Sequence, residues 1–315
     1  MGYSINKITN KLTENLVNDR DRLNIDVQDG PLNCKIIDAG IKTEGSIEAG
    51  LKISEICMGG LGKVNLLPNK NSELYGWNID VSSSKPVLAC LGAQYAGWSL
   101  NYKKFFSLGS GPARSLAQKE EIFQEINYKD MSEKTVLILE VENVPPEEIV
   151  NKVSTDCGIS PQNLIFILTP TVSICGNIQV VSRVLEVAIH KIHELKFPLE
   201  RIIHGLGTAP LPPLGKDFVQ GMGRTNDSII YGGIVQLYID GSENDIIQLS
   251  KDLPSHNSKD YGKPFKDIFE SYDMDFYKID GSLFSPACVI INSTSSGKTY
   301  SSGKINNDLL NQSFC

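Results

Sequence analysis

The chain has no C-x-x-C pair, no long basic run and no apolar stretch approaching membrane-spanning length. Each absence removes a class of protein. Seven cysteines, at 34, 57, 90, 157, 175, 288 and 315, are dispersed and odd in number, so neither a disulfide framework nor a structural zinc site is expected. Reduced, mostly buried thiols suit a cytoplasmic setting. The tightest cationic cluster is Lys103–Lys104 and the net charge is −7. Neutralising a phosphate backbone needs the opposite balance, which argues against nucleic acid as a partner. A spanning helix needs about 20 apolar residues, so no membrane partner is expected either. Residues 1–20 are polar and lack the apolar centre of a signal peptide. Asn6 stands where a myristoylation motif starting at Gly2 wants Ser or Thr.

What is present describes a globular chain. With 315 residues, 41% hydrophobic and 21% charged, it can bury a large core and divide into two domains. Ile5–Leu23 has the spaced aliphatics of an amphipathic helix. Short strands are expected at Cys34–Ala39, Leu51–Met58 and Val87–Leu91, with turns at Gly59-Gly60 and Gly92. Val136–Leu139, ending at Glu140, and Leu164–Leu168 are apolar runs of buried-strand type. Pro145-Pro146-Glu147-Glu148 starts a helix, with proline early and acids in the first turn. Gln179–Leu195 is the clearest helix. Val181, Val184, Leu185, Ala188, Ile192 and Leu195 share its apolar face, while Arg183, Glu186, His190, His193 and Glu194 gather on the other. Gly205–Leu214 is expected as an irregular connector and Ile229–Asp240 as a strand interrupted by Gly232-Gly233. Val289–Asn292 and Lys298–Tyr300 make a hairpin, followed by a loose polar tail after Ser301. Without a regular βαβ rhythm the fold class is α+β, a mixed α/β form with two domains. The expected division is 1–60 plus 196–315 as one discontinuous domain and 61–195 as the central one.

The short motifs are individually indecisive. Met58–Val64 superficially suggests a phosphate loop, but Cys57 and Val64 stand where the pattern needs glycine and a hydroxyl. Pro210 and Arg114 break the dinucleotide fingerprints begun at Gly205 and Gly109. Gly109-Ser110-Gly111 with Arg114 still offers backbone donors and a cation that can hold an anion. His190 and His193 lack a third metal ligand and a metalloprotease pattern, and read as two solvated histidines. Arg183 and Glu186 are three apart on one helix. By spacing alone they are an exposed ion pair worth under about 1 kcal/mol, or, facing a cleft, a guanidinium that positions a carboxylate base.

Several stretches become specific through their order. Gly59–Val64, Gln94–Trp98 and Leu108–Arg114 are followed by Arg183-x-x-Glu186, Gly207–Pro213, Gly223–Asp227, Tyr231–Gly233, Asp260–Phe265, Asp275–Asp280 and Leu283–Ala287. In this order, from about residue 5 to the end, the chain resembles the methenyltetrahydromethanopterin cyclohydrolase family. The resemblance implies two α/β domains with a pterin cleft between them, a homotrimer, and no metal or organic cofactor. It implies a tetrahydromethanopterin-type substrate in one-carbon metabolism, interconverted between its N5,N10-methenyl and N5-formyl forms. It also places the catalytic couple on Arg183 and Glu186. Gln94, Ser110, Gly111, Arg114, Arg224, Thr225 and Asn226 are then candidate substrate contacts, or residues that only tie loops together. Glu140 is either a counter-charge to a cationic substrate or a solvated acid at a strand end. Gly281-Ser282, where the family pattern suggests a bulkier or proline-containing pair, leaves open which pterin is used.

Overall fold

A computed structural model describes residues 4–69 and 75–315. The chain forms two compact units, Met1–Gly62 with Leu88–Gln179, and Lys63–Val87 with Val180–Cys315. The expected grouping of 1–60 with 196–315 is therefore corrected. Strand pairing is the reason: Lys35–Asp38 lies parallel to Ile165–Leu168, which ties the N-terminal stretch to the middle of the chain. Each unit carries one six-stranded sheet and its own helices, so the α+β class holds.

With strands numbered along the whole chain, the first unit holds β1 (Asp26–Asp29), β2 (Lys35–Asp38), β5 (Trp98–Tyr102), β6 (Phe105–Ser110), β7 (Thr135–Leu139) and β8 (Leu164–Leu168). The order is β1-β2-β8-β7-β6-β5, with β2, β8 and β7 parallel. Central parallel strands are covered on both faces, which explains their unbroken apolar runs. Leu137, Leu139, Phe166 and Leu168 pack with Ile149, Val150 and Val153 of helix Glu147–Cys157. Val136, Ile138 and Ile167 face the opposite way, toward Leu16, Ala49, Ile53 and Ile56. Those residues lie on helices Ile5–Asn18 and Ile47–Cys57. Of residues 51–58, expected as a strand, 51–57 belong to that second helix and Met58 is its C-cap. Ser46 caps it by accepting from the Ala49 N–H at 3.1 Å, and its apolar residues recur at helical spacing. Val87–Leu91 is likewise not a strand. Pro86–Ala89 is one helical turn that widens into a π-turn over Cys90–Gln94.

The second unit holds β3 (Gly62–Pro68), β4 (Trp77–Ser83), β9 (Ile202–Pro210), β10 (Ile234–Ile239), β11 (Cys288–Ser293) and β12 (Thr299–Gly303), in the order β12-β11-β10-β9-β4-β3. The expected connector at 205–214 is in large part β9, a central strand paired antiparallel with both β4 and β10. Residues 229–240 are the end of helix Phe218–Gly232 followed by β10. The expected hairpin is present as β11 and β12. The tail is not loose: helix Asn307–Phe314 packs Leu310 and Phe314 into a cluster with Tyr231, Phe265 and Leu283. None of the seven cysteines is in a disulfide, and no helix among the described residues is long and apolar enough to cross a membrane.

Asp227 is fully buried and accepts from the backbone N–H of Phe265, a member of this cluster, at 2.8 Å. Burial pushes its carboxyl up to about 7. A folded-state value above the unfolded one means that the native state holds a proton the unfolded chain has lost. Asp227 therefore lowers stability progressively as pH rises from the ordinary carboxylate range toward 7, by on the order of 4 kcal/mol. Between pH 5 and 8, urea midpoints of wild type should fall relative to those of Asp227→Asn. Parallel midpoints would contradict this assignment.

Candidate active site

The expected helix Gln179–Leu195 is two helices, Ile174–Val181 and Val184–Glu194, separated at Ser182-Arg183. Arg183 occupies the N-cap of the second, with φ −77° and ψ 1°. Its carbonyl accepts from the Val187 N–H at 2.9 Å. Glu186 falls in the first turn, where the helix dipole interacts favourably with a carboxylate's negative charge. Arg183 Nη1 lies 3.8 Å from Glu186 Oε2, and the two side chains are only 12% and 6% exposed. This burial removes the exposed-pair reading. The separation is too long for a hydrogen bond, so the guanidinium acts on the carboxylate by charge, without the bidentate grip of a fork.

The first turn is seated by glycine. A Cβ on Gly205 of β9 would stand 2.8 Å from Leu185 Cδ1. One on Gly207 would meet Val184 Cγ1 at 2.9 Å and the Leu185 backbone nitrogen at 3.2 Å. Gly205-x-Gly207 thus removes two side chains from one face of a strand, letting the turn that bears Arg183 and Glu186 sit directly on the sheet. The spacing that fails as a dinucleotide fingerprint serves helix–sheet approach. Strand alternation of small residues was the available signal, obscured by the prolines at 210, 212 and 213.

Lower on the same helix, His190 and His193 are half-buried, not solvated. Their rings are 6.1 Å apart and both lie near the Glu194 carboxylate, at 4.0 and 3.8 Å. Lys191 is buried on this helix and donates to the Ser282 carbonyl at 2.9 Å. Loss of solvation lowers its ammonium to about 8. That lysine escaped sequence reasoning because its alkyl stem fits an apolar stripe.

The other candidates separate by unit. In the second, Arg224 donates to the carbonyls of Leu214, Ser313 and Phe314, clamping the C-terminal helix. Thr225 and Asn226 donate back into their own helix, to Gly221 and Met222 carbonyls. In the first unit, Arg114 is 1% exposed and spends its guanidinium on Glu120 and on the Leu91 and Ala93 carbonyls. Tyr95 and Phe123 flank it at 5.2 and 5.3 Å. The expected anion nest is further filled from within, because the Gly111 N–H donates to Ala93 and the Arg114 N–H to Gly111. Of the two readings open to them, both arginines show ties within their own units: Arg114 Nε and Nη1 donate to protein acceptors and Nη2 lies 2.6 Å from Glu120 Oε1, while Arg224 donates through all three of its guanidinium nitrogens. Ser110 is buried, 3.4 Å from both the Ile138 carbonyl and Cys57 Sγ. Gln94 is buried at the end of the π-turn, a helical irregularity that recurs at functional sites. Glu140, half-buried just beyond β7, accepts from the Thr171 hydroxyl.

The family model described as cyclohydrolase (MCH) matches residues 4–314. The chain belongs to that cyclohydrolase family. Proteins named methenyltetrahydromethanopterin cyclohydrolase include one from Methylobacillus flagellatus, 52% identical over 99% of this chain and 95% of its own. Another, from Methylobacterium organophilum, is 48% identical over 99% and 97%. One from Methanospirillum hungatei is 41% identical over 99% and 98%. Membership of the cyclohydrolase family accounts for the motif order along the whole chain.

If the two glycines seat the site, Gly207→Ala should cost about 1–3 kcal/mol, because the rigid Leu185 backbone must give way. Gly281→Ala, where an added Cβ meets nothing within 4 Å, should stay within about 0.5 kcal/mol. Equal thermal midpoints for these two cyclohydrolase variants would remove the seating argument.

Proposed function

We propose that this protein opens the cyclic amidine of N5,N10-methenyl-tetrahydromethanopterin, or of its dephospho form, with water to give the N5-formyl derivative, reversibly. The observation that carries this reading is the buried Arg183–Glu186 pair in the first turn of helix Val184–Glu194. The names of the relatives support the same substrate class. Family membership is also the ground for proposing a cytoplasmic homotrimer that works in one-carbon metabolism.

The substrate carbon lies in an N–CH=N⁺ amidinium and is already electrophilic, so the reaction calls for no metal or organic cofactor. It needs a positioned water and a place for a proton. Glu186 orients the water and accepts one proton as the oxygen bonds to carbon. The neutral carbinolamine then collapses. Glu186 returns its proton to N10, the C–N10 bond breaks, and the hydroxyl proton leaves to solvent as the formyl C=O forms. One cation and one water thus become a neutral formamide and a released proton. Arg183 stabilises the carboxylate's charge between these steps. Its guanidinium stays with Glu186, since a second cation beside the amidinium is repulsive.

Glu140 is assigned the counter-charge to the amidinium, and Gln94, Ser110 and Gly111 contacts to the pterin. Arg114, Arg224 and Thr225 support the units from inside, with Asn226 as a contact of the second unit. Purified protein should bleach the methenyl absorbance without added nicotinamide, and Glu186→Gln should slow the bleaching at least about 10²-fold. Unchanged turnover in that variant removes Glu186 from the mechanism. Binding without bleaching by wild type would leave a non-catalytic tetrahydropterin-binding protein of the same fold.

A further inference from the structure

The ends of β7 and β8 form a compact corner in the first unit. The strands are parallel, with Leu139 opposite Leu168, and the Thr169 N–H donates to the Leu139 carbonyl at 3.0 Å. Glu140 leaves β7 at this point. The chain beyond β8 folds into a closed turn, in which the Ser173 N–H and hydroxyl both reach the Pro170 carbonyl, at 2.9 and 2.7 Å. The Gly176 N–H donates to the Ser173 hydroxyl at 2.9 Å. A Cβ on Gly176 would stand 2.0 Å from the Pro170 carbonyl oxygen, so helix Ile174–Val181 presses against the turn. Thr171 sits in this fixed loop, 3% exposed, and its hydroxyl donates to Glu140 Oε1.

A carboxylate at a strand end has several rotamers, and fixing one costs side-chain entropy. The turn supplies a donor whose own backbone is already immobilised by the Pro170 contacts. A hydroxyl donating to an ionised carboxylate makes a charge-assisted bond, stronger than one between neutral groups. The corner is thus built to hold one orientation of Glu140. A valine has nearly the volume of threonine but lacks the donor, so packing and positioning can be separated at this site.

We propose that Thr171 is a positioning residue for substrate affinity: it fixes the Glu140 carboxylate as the counter-charge for the cationic amidinium. This rests on the cyclohydrolase reading and on the counter-charge assigned to Glu140, and adds a second-residue requirement to them. An acid that attracts a cation before reaction and takes no part in the proton transfers contributes to binding more than to the chemical step.

The test measures KM and kcat by methenyl bleaching for wild type, Thr171→Val, Thr171→Ser, Glu140→Gln and Thr171→Val/Glu140→Gln. The expected result is a KM about tenfold higher in Thr171→Val, the scale of one charge-assisted hydrogen bond. kcat should stay within about threefold, and Thr171→Ser should restore KM. In the Glu140→Gln background the valine change should add little, because the group that it positions has lost its charge. An unchanged KM in Thr171→Val, a loss confined to kcat, or full additivity with Glu140→Gln overturns the positioning role. If Thr171→Val does not fold, Thr171→Ser carries the decision: a wild-type KM supports the hydroxyl's role and a raised KM opposes it. Wild-type protein that fails to bleach the substrate defeats the cyclohydrolase reading itself, a result separate from any of these.

Discussion

The structure's chemistry depends on how closely one helix turn approaches one strand. Val184 and Leu185 rest on the face of β9 from which Gly205 and Gly207 have withdrawn their side chains. That seating holds Arg183 at the N-cap and Glu186 one turn in, and it sets the 3.8 Å separation between their charges. The break at Ser182-Arg183 matters equally. A continuous helix over the same residues would leave Glu186 in mid-helix, away from the positive end of the dipole.

Within each unit the protein spends strong hydrogen-bonding groups on its own frame. Arg114 joins Glu120 to the carbonyls of the π-turn segment. Arg224 gathers the C-terminal helix against helix Phe218–Gly232. Asn6 joins Asp130, Ser115 and Thr135 in a buried network that anchors the first helix. Buried polar groups that are fully paired give rigidity, while removing one partner exposes the other to the full cost of desolvation.

Sequence alone revealed the elements whose local pattern agrees with their burial. Val136–Leu139 and Leu164–Leu168 are strands because unbroken β-branched and aromatic runs fit central parallel positions. The helix after Pro146 begins where its proline and acids direct. Glycine and proline mislead where tertiary packing uses them as something other than punctuation, and a short apolar run misleads where its upstream cap is overlooked. Gly205 and Gly207 lie inside a strand, Gly232 ends a helix, and residues 51–57 lie in a helix that a capping serine at 46 announces. The Arg183–Glu186 pair is visible as a spacing, but its burial is not, since burial is decided by tertiary packing. Thr171 and Glu140 lie 31 positions apart and meet only because β7 and β8 are neighbours.

The most direct test of the central claim is a double-mutant cycle on kcat with Arg183→Gln, Glu186→Gln and the double variant. A couple in which the guanidinium works through the carboxylate predicts strong non-additivity, at least about 1.5 kcal/mol, with the double variant little slower than Glu186→Gln alone. Losses that simply add would mean that the two side chains act independently, and the account of a single hydrolytic couple seated on β9 would be wrong.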